Sequence, residues 1–244
     1  MTDGIVRIAM WSGPRNISTA LLRSWGNRAD TVVVDEPLYA HYLSTKRVDH
    51  PGRDEIIAVH DPDWRRVVDD LTAPLAPGKT VSYQKHMAHH LLPSVGRDWL
   101  THVTSAFLLR DPREMLPSLA RVLPHPTLDD TGLPQQAALF DSVTAAGTVP
   151  VVIDACDVLQ RPESMLRALC DSFGVAYEPA MLSWPAGPRA TDGVWARWWY
   201  DAVLASTGFA PCESRHAPVP PHLHPLLDEC LAFYERLHAA RITI

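Results

Sequence analysis

The sequence lacks the features that define several large classes of protein. Its four cysteines, Cys156, Cys170, Cys212 and Cys230, are widely spaced without a Cys-x-x-Cys pair, so neither a disulfide framework nor a zinc ribbon is predicted, and we expect reduced core thiols. No apolar run reaches the roughly 18 residues that a membrane-spanning helix needs. The first residues do not form a charged and then apolar leader. We therefore expect a cytoplasmic protein without a membrane span.

Positive charge is also scarce. The chain has 22 Lys and Arg against 28 Asp and Glu, a net charge of −6, whereas a nucleic-acid-binding protein needs a basic face that releases counterions from phosphates. Lysine occurs only at positions 46, 79 and 85, so arginine carries nearly all the basic charge. With 46% hydrophobic residues among 244, the chain is long enough to bury the core of one α/β domain, which we predict to span residues 1–244.

Apolar runs of strand length alternate with amphipathic segments of helix length. Strands are predicted at residues 5–11, 31–34, 80–83, 103–109 and 149–153. Helices are predicted at residues 18–27, 113–122, 134–146, 162–173, 194–205 and 223–239. This alternation predicts a three-layer α/β/α fold whose central, mostly parallel sheet has about five strands. Residues 44–77 are polar without a clean period, and we interpret them as an insertion over one end of the sheet.

A glycine-containing loop follows the first predicted strand and leads into the first predicted helix. The backbone amides that converge there form, together with the helix dipole, a ready site for an anion. Arg15 adds a fixed positive charge, and Ser18 and Thr19 add hydroxyl donors. The loop lacks the second glycine and the lysine of a Walker A motif, which disfavours a magnesium-dependent ATPase. The candidate residues of this loop are Gly13, Pro14, Arg15, Asn16, Ile17, Ser18 and Thr19.

A second anion site is predicted at the end of the fourth strand. Arg110 follows the apolar run, and Ser118 lies eight residues later, about two turns into the next predicted helix. An arginine at a strand end can bind a phosphate through two parallel hydrogen bonds, and a serine on the facing helix adds a hydroxyl. Together with the first loop, these two residues would complete a clamp for a ligand that carries two phosphate groups.

Residues 14–19 and the pair Arg110 and Ser118 resemble the 5′-phosphosulfate loop and the 3′-phosphate motif of sulfotransferases that use 3′-phosphoadenosine 5′-phosphosulfate (PAPS). The bacterial form of that loop commonly reads Pro-Arg-Ser-Gly-Thr-Thr, and this chain departs from it at Asn16 and Ile17. The resemblance implies a P-loop nucleotide-binding fold and transfer of a sulfuryl group from PAPS to a hydroxyl or amine of a small-molecule acceptor. It also implies that the first loop, Arg110 and Ser118 bind PAPS, without a metal.

A third segment resembles the same family by position. In sulfotransferases a glycine-containing basic loop near the C-terminus closes over the 3′-phosphate and the adenine, and residues 184–195 occupy the equivalent place. Arg189 and Gly193 are the candidates for binding PAPS in this loop. The aromatic run at residues 198–200 fits a hydrophobic core as well as it fits a cofactor clamp.

The catalytic base has more than one candidate. Residues 83–87 resemble the Lys-Thr-His-Leu segment that carries the catalytic histidine in many sulfotransferases, and His86 is the natural base because an imidazole titrates near neutrality. Lys85 is a further catalytic candidate. Adjacent residues on a strand face opposite sides, however, so Lys85 and His86 cannot both serve unless the strand has already ended. Glu36, just beyond the second strand, is the alternative base, and His41 is a third option.

Other interpretations remain open at this point. Another nucleotide-dependent transferase or a kinase could use the same fold, and the altered loop could belong to a non-catalytic binding protein. If the chain is a sulfotransferase, we expect Arg15 also to stabilise the leaving phosphate. His86 and His90 lack a third acidic or cysteine ligand nearby in sequence, so no metal site is predicted. The acceptor is not identified, and the apolar face of the last predicted helix fits either the core or a homo-oligomer interface.

Overall fold

The computed structural model describes residues 4–48, 50–211 and 218–244 of the chain. The strands in this part are β1 Val6–Ser12, β2 Thr31–Asp35, β3 Val81–Met87, β4 Thr104–Leu109 and β5 Val151–Asp154. The α-helices are α1 Ser18–Gly26, α2 Tyr39–Lys46, α3 Arg53–Val59, α4 Trp64–Thr72, α5 Pro112–Leu119, α6 Leu133–Ala145, α7 Ala155–Gln160, α8 Pro162–Phe173, α9 Ala196–Trp199, α10 Asp201–Leu204 and α11 His224–His238.

The strands form one parallel sheet in the order β2-β3-β1-β4-β5. Helices cover both faces of the sheet, so the predicted three-layer α/β/α fold is confirmed. Each predicted strand is present, and the third runs on to Met87 instead of ending at Tyr83. Because the strands are parallel, their carboxyl ends meet at one edge. The connection from β1 runs to β2 on one side and the connection from the adjacent β3 runs to β4 on the other, so a crevice opens between β1 and β3.

Alternate side chains of β1 fill the two faces of the sheet. Ile8 and Met10 pack with α1 and α8, whereas Ala9 and Trp11 pack with α4, α6 and α11. All four side chains are fully buried. The same alternation in the neighbouring strand β3 directs successive side chains to opposite layers of the molecule.

The polar segment at residues 44–77 contains α3 and α4, which the sequence did not predict. Helix α4 begins after Asp63, whose carboxylate accepts a hydrogen bond from the Arg65 amide at 3.0 Å, and it buries Val67 and Leu71. These apolar positions span little more than one helical turn, which is too short to stand out as a period in a sequence. Helix α4 packs on the face of the sheet with Ala9 and Trp11, whereas α3 shares a small hydrophobic core with α2 and residues 194–204.

Of the two helices predicted near the C-terminus, one differs from the structure and the other agrees with it. The helix predicted at residues 194–205 is divided into α9 and α10 by Tyr200, whose side chain turns inward and is buried. Helix α11 agrees with the prediction, and its apolar face belongs to the core, because Tyr234 and Leu237 are buried. The Tyr234 hydroxyl donates a hydrogen bond to Asp154 Oδ2 at 3.0 Å, which fastens α11 to the end of β5.

Three of the four cysteines lie within the described residues, and these three are free thiols. Cys170 and Cys230 are buried, as predicted, whereas Cys156 is partly exposed. Cys212 lies outside the described residues. Across the described ranges, no helix has the length and apolar character that crossing a membrane requires.

Candidate active site

The loop between β1 and α1 lines a cavity of about 810 Å³. The predicted site residues from Pro14 to Thr19 all face this cavity. Gly13 lies behind them, where a Cβ atom would come within 2.4 Å of the Thr131 carbonyl oxygen. The close approach of two backbone segments therefore requires glycine at this position.

Asn16 gives the loop its shape. Its side-chain Nδ2 donates to the Leu108 carbonyl oxygen of β4 at 3.1 Å, and its Oδ1 accepts from the Ile17 amide at 2.8 Å. Arg15, immediately before it, has a φ of 54°, and non-glycine residues in this left-handed region cluster at functional sites. The Asn16-Ile17 pair thus ties the loop to the sheet and leaves the first turn of α1 open to the cavity.

Arg15 and Ser118 are in direct contact although 103 residues separate them in sequence. Arg15 Nε donates to Ser118 Oγ at 3.0 Å, and Arg110 Nη1 donates to the Arg15 carbonyl oxygen at 2.6 Å. Burial and the neighbouring charges of Arg110 and Arg121 lower the pKa of Arg15. Three arginines that converge with hydroxyl groups on a helix N-terminus form a donor set that fits a phosphate-rich ligand.

Lys85 lies at the centre of a buried hydrogen-bonded cluster that borders the same cavity. Lys85 Nζ donates to Asp35 Oδ1 at 2.8 Å, to Glu36 Oε1 at 2.5 Å and to the Tyr200 hydroxyl at 2.7 Å. The Tyr200 hydroxyl in turn donates to the Asp35 carboxylate at 2.7 Å and accepts from Trp195 Nε1 at 3.1 Å. The parallel register of β2 and β3 sets Asp35 beside Lys85. Glu36, with a φ of 43°, reaches the cavity.

The two carboxylates of this cluster differ in their surroundings. Burial raises the pKa of Glu36, the charge of Lys85 opposes this rise, and the adjacent charge of Asp35 adds to it. Burial alone disfavours the charge of Lys85, but Asp35 and Glu36 raise its pKa well above the ordinary value, so it keeps its proton. Because Asp35 already balances the lysine charge, Glu36 is the carboxylate best suited to take up a proton.

His86, the first candidate for the base, does not face the cavity. Because β3 continues through Met87, His86 points to the layer opposite Lys85. Its ring is buried, stacks on Trp11 with centroids 4.2 Å apart, and has Nε2 at 3.3 Å from Gln84 Oε1. Burial and the charge of Lys85 lower the pKa of His86 to about 3. This placement argues against His86 as the base.

Three other candidates from the sequence also lie away from the cavity lining. His41 Nδ1 lies 2.9 Å from a backbone carbonyl oxygen. The Arg189 amide donates to Asp192 at 2.8 Å, and the Gly193 amide donates to Asp35 Oδ2 at 3.2 Å, so the loop at residues 184–195 supports the site from behind. The C-terminal side of the cavity is lined instead by Trp199, Tyr200, Ala202, Val203, Ser206, Gly208, Phe209, Ala210 and Pro211.

Aromatic rings line the cavity next to Glu36. His90 stacks on Tyr39 and on Tyr42, with centroids 4.3 Å and 4.8 Å apart, and His90 Nδ1 lies 4.0 Å from Glu36 Oε2. The pKa of His90 lies well below its ordinary value, mainly because the ring is buried. In the part of the chain that the structure describes, no group of three or more His, Cys, Asp or Glu side chains is placed to hold a metal ion.

Four candidate functional residues emerge from the structure alone: Asp35, His90, Arg121 and Tyr200. Asp35 could have been found from the sequence, because parallel strands that end together place it beside Lys85. Arg121 carried no such signal, and Tyr200 and His90 were considered only as part of an aromatic run and as a metal ligand, because such residues are more often parts of a core.

Comparisons with known proteins identify the family and the fold of the chain. The family described as "Sulfotransferase domain" matches residues 6–241. The chain belongs to the sulfotransferase family. Its fold is similar to the sulfotransferase domain from the curacin biosynthetic pathway, at 16% identity over 96% of this chain and 98% of that chain, with a TM-score of 0.54. It is also similar to a sulfotransferase from Alicyclobacillus acidocaldarius, at 14% identity over 98% and 97% of the two chains, with a TM-score of 0.54.

Two curated proteins of Arabidopsis thaliana are similar to this sulfotransferase in sequence. Branched-chain-amino-acid aminotransferase-like protein 1 is 36% identical over 232 residues, which is 95% of this chain and 41% of that protein. Branched-chain-amino-acid aminotransferase-like protein 2 is 35% identical over 231 residues, 94% of this chain and 41% of that protein. This chain therefore spans less than half of the length of the curated relatives it matches.

Proposed function

We propose that this sulfotransferase transfers a sulfuryl group from PAPS to a hydroxyl or amine of a small-molecule acceptor, with Glu36 as the base. The observation that carries the proposal is the contact of Arg15 with Ser118 in the same cavity as Glu36 and Lys85. In-line group transfer needs a site that holds the anionic donor and a base within reach of the acceptor. The arginines and Glu36 that line one cavity support both parts of the proposal.

The arginine end of the cavity would hold the donor. The first turn of α1, with Ser18 and Thr19, is suited to the 5′-phosphosulfate, and Arg110 with Ser118 is suited to the 3′-phosphate. When bound, PAPS supplies the sulfuryl group, and its adenosine 3′,5′-bisphosphate part is released afterwards. Arg15 would stabilise the negative charge that develops on the leaving phosphate.

The buried cluster would handle the proton. Glu36 accepts the proton of the acceptor hydroxyl or amine, while Lys85 holds the Glu36 carboxylate in position through the 2.5 Å hydrogen bond. Asp35 and Tyr200 keep Lys85 in place and balance its charge. No residue of this scheme requires a metal ion. The cytoplasmic location expected from the sequence stays a prediction.

A ligand screen by thermal shift tests the proposal against the kinase interpretation. Adenosine 3′,5′-bisphosphate at 100 times its dissociation constant should stabilise the protein by about 2.7 kcal/mol, and ATP and GTP with magnesium should stabilise it less. Radiolabelled PAPS should then transfer its label to an acceptor. Stabilisation by ATP with magnesium and none by the bisphosphate would instead support a kinase.

A further inference from the structure

A buried ion pair lies beside the site and takes no direct part in the proposed transfer step. Arg23, in the last turn of α1, donates from Nη2 to Asp192 Oδ2 at 2.7 Å. The two side chains are only 1% and 5% exposed, and 169 residues separate them in sequence. The pair therefore joins the helix whose first turn lines the cavity to the loop at residues 184–195.

Stability does not account for this pair. Within the described ranges, Arg23 Nε and Nη1 and Asp192 Oδ1 have no hydrogen-bond partner. Arg28 is equally buried, but its three guanidinium nitrogens donate to the Asp30 carboxylate and to the Ala176 carbonyl oxygen. A buried ion pair that leaves polar atoms without partners is often no more stable than apolar side chains of similar volume. What the pair of Arg23 and Asp192 does provide is a fixed position.

The pair fixes a tight turn in the loop. Asp192 Oδ2, which accepts from Arg23, also accepts from the Arg189 amide at 2.8 Å. The Asp192 amide donates to the Arg189 carbonyl oxygen at 3.0 Å. One carboxylate oxygen thus closes the turn and ties it to α1. Gly193 follows immediately, so the position of its amide depends on how this turn is held.

A backbone amide of the loop reaches the buried cluster. The Gly193 amide donates to Asp35 Oδ2 at 3.2 Å, while Asp35 Oδ1 accepts from Lys85 Nζ at 2.8 Å. Glycine is needed at position 193, because a Cβ atom would come within 2.1 Å of the Trp195 ring. The loop backbone and Tyr200 together occupy the second oxygen of Asp35.

The amide on Asp35 affects how Lys85 is shared within the cluster. Lys85 has three N–H donors and uses them on Asp35, Glu36 and the Tyr200 hydroxyl. If the Gly193 amide moved away, Asp35 Oδ2 would lose a donor in a buried site, which is costly. The Lys85 ammonium would then turn from Glu36 towards Asp35. Three consecutive hydrogen bonds therefore connect the turn to the base.

We propose that Arg23 and Asp192 are positioning residues for the base. Their ion pair holds the turn that directs the Gly193 amide to Asp35, and this contact keeps the lysine of the cluster bonded to Glu36. Neither Arg23 nor Asp192 lines the cavity, so the pair acts through the cluster and not on a ligand. The inference rests on the proposed function for the role of Glu36, but the connection itself is measurable without a turnover assay.

Nuclear magnetic resonance of the lysines measures the connection directly. The chain has lysine only at positions 46, 79 and 85, so protein labelled with ¹³C at the lysine Cε reports on three environments, and Lys46→Arg and Lys79→Arg identify two of them. Lys85 Nζ lies 5.0 Å from the centre of the Tyr200 ring, whose ring current makes the Lys85 signal sensitive to small movements. Arg23→Met should shift this signal and leave the other two in place.

Arg28→Met is the matched control, because it removes an equally buried arginine near the opposite end of β2 from Asp35. It should lower stability in urea unfolding and leave the Lys85 signal unmoved. Arg23→Met/Asp192→Asn removes both charges of the pair together, which leaves neither buried charge without its partner, and it should shift the signal as Arg23→Met does. An unmoved Lys85 signal in the folded double variant, or an equal shift in Arg28→Met, would overturn the proposal.

Kinetics of the double variant separate this role from donor binding. Loss of a hydrogen bond to a charged group corresponds to a kcat lower by about tenfold, in transfer from PAPS to the acceptor that its radiolabel identifies. Binding of adenosine 3′,5′-bisphosphate, measured by calorimetry, should stay within about twofold of wild type. Unchanged kcat, or a loss of bisphosphate binding as large as the loss of kcat, would overturn the proposal. If wild type transfers no sulfuryl group from PAPS, the proposed function fails, and the Lys85 signal still decides whether the pair positions the cluster.

Discussion

Lys85 Nζ donates a 2.5 Å hydrogen bond to Glu36 Oε1, and the two side chains come from strand ends that are 49 residues apart in sequence. The other oxygen of the same carboxylate, Oε2, lies 4.0 Å from His90 Nδ1. One oxygen of Glu36 is therefore held by the cluster, while the other lies near the aromatic rings that line the cavity.

Glu36→Gln should lower turnover by about 10²–10⁴, because an amide keeps the shape of the side chain but cannot take the proton of the acceptor. Binding of adenosine 3′,5′-bisphosphate, measured by calorimetry, should stay within about twofold of wild type. Glu163→Gln, at an exposed carboxylate paired with Arg167, is the matched control and should keep full activity. Wild-type turnover in Glu36→Gln would remove Glu36 as the base.

Arg15→Ala and Arg110→Ala should each weaken binding of adenosine 3′,5′-bisphosphate. A hydrogen bond to a charged group contributes about 1.5–3 kcal/mol, which corresponds to a loss of roughly 10–150-fold in affinity. Arg113→Ala is the control, because Arg113 is exposed, pairs with Asp111 and lies outside the cavity. If both cavity variants bound the bisphosphate as tightly as wild type does, the arginine end would not be the donor site.

His86→Phe should flatten the dependence of stability on acidic pH. The folded-state pKa of His86 is about 3, so between that pH and the unfolded value near 6.5 the unfolded chain binds more protons. The free energy of unfolding should therefore fall as the pH drops through this window, by up to about 1.4 kcal/mol per pH unit from this residue. Glu36, with a raised pKa, acts in the opposite direction as the pH falls through that value.

Urea unfolding at pH 7.5, 6.5, 5.5 and 4.5 measures this effect. The phenyl ring can keep the stacking on Trp11, so His86→Phe should fold at neutral pH. The variant should lose less stability than wild type between pH 6.5 and 4.5. Parallel curves for the two proteins would show that the buried imidazole is not what makes the fold sensitive to acid.

Gly52→Ala should destabilise the protein more than Gly147→Ala. Both glycines have a left-handed backbone, with φ of 71° and 78°, so a side chain strains both positions. Only at Gly52 does the new Cβ meet a neighbour, the ring of Trp198 at 1.8 Å, whereas nothing lies within 4 Å of it at Gly147. Overpacking of this kind costs about 1–3 kcal/mol, to be measured as a difference in urea unfolding. Equal losses in the two variants would mean that Trp198 moves aside freely.

The sequence indicated the fold correctly because the fold depends on local patterns, and the donor end of the site, which was inferred from the same kind of pattern, stays a prediction. Apolar runs of strand length and a glycine loop before a helix are properties of neighbouring residues. The spacing of Arg110 and Ser118 could be recognised in the sequence for the same reason, because both residues follow the end of one strand. The helices in residues 44–77 were missed because α3 buries only Ile56 and α4 buries apolar side chains over little more than one turn.

The base could not be chosen from the sequence because the choice depended on where β3 ends. Continuation of the strand through Met87 turns His86 into the core against Trp11 and leaves Lys85 at the cavity. A strand end is decided by pairing with its neighbours in the sheet, and here β1 pairs with β3 as far as Met87. That pairing depends on the tertiary structure and cannot be recognised from the residues of the strand itself.

By itself, the sequence determined a parallel α/β chain with an arginine-bearing loop at its first strand, because hydrophobic periodicity and residue type are enough to predict these features. The tertiary structure alone decided that Asp35, Lys85 and Tyr200 form one buried cluster, because they come from β2, β3 and the turn between α9 and α10. It also decided which chemical groups share the cavity with Arg15. Contacts between residues about 50 to 165 positions apart are fixed only when the strands have paired and the helices have packed on them.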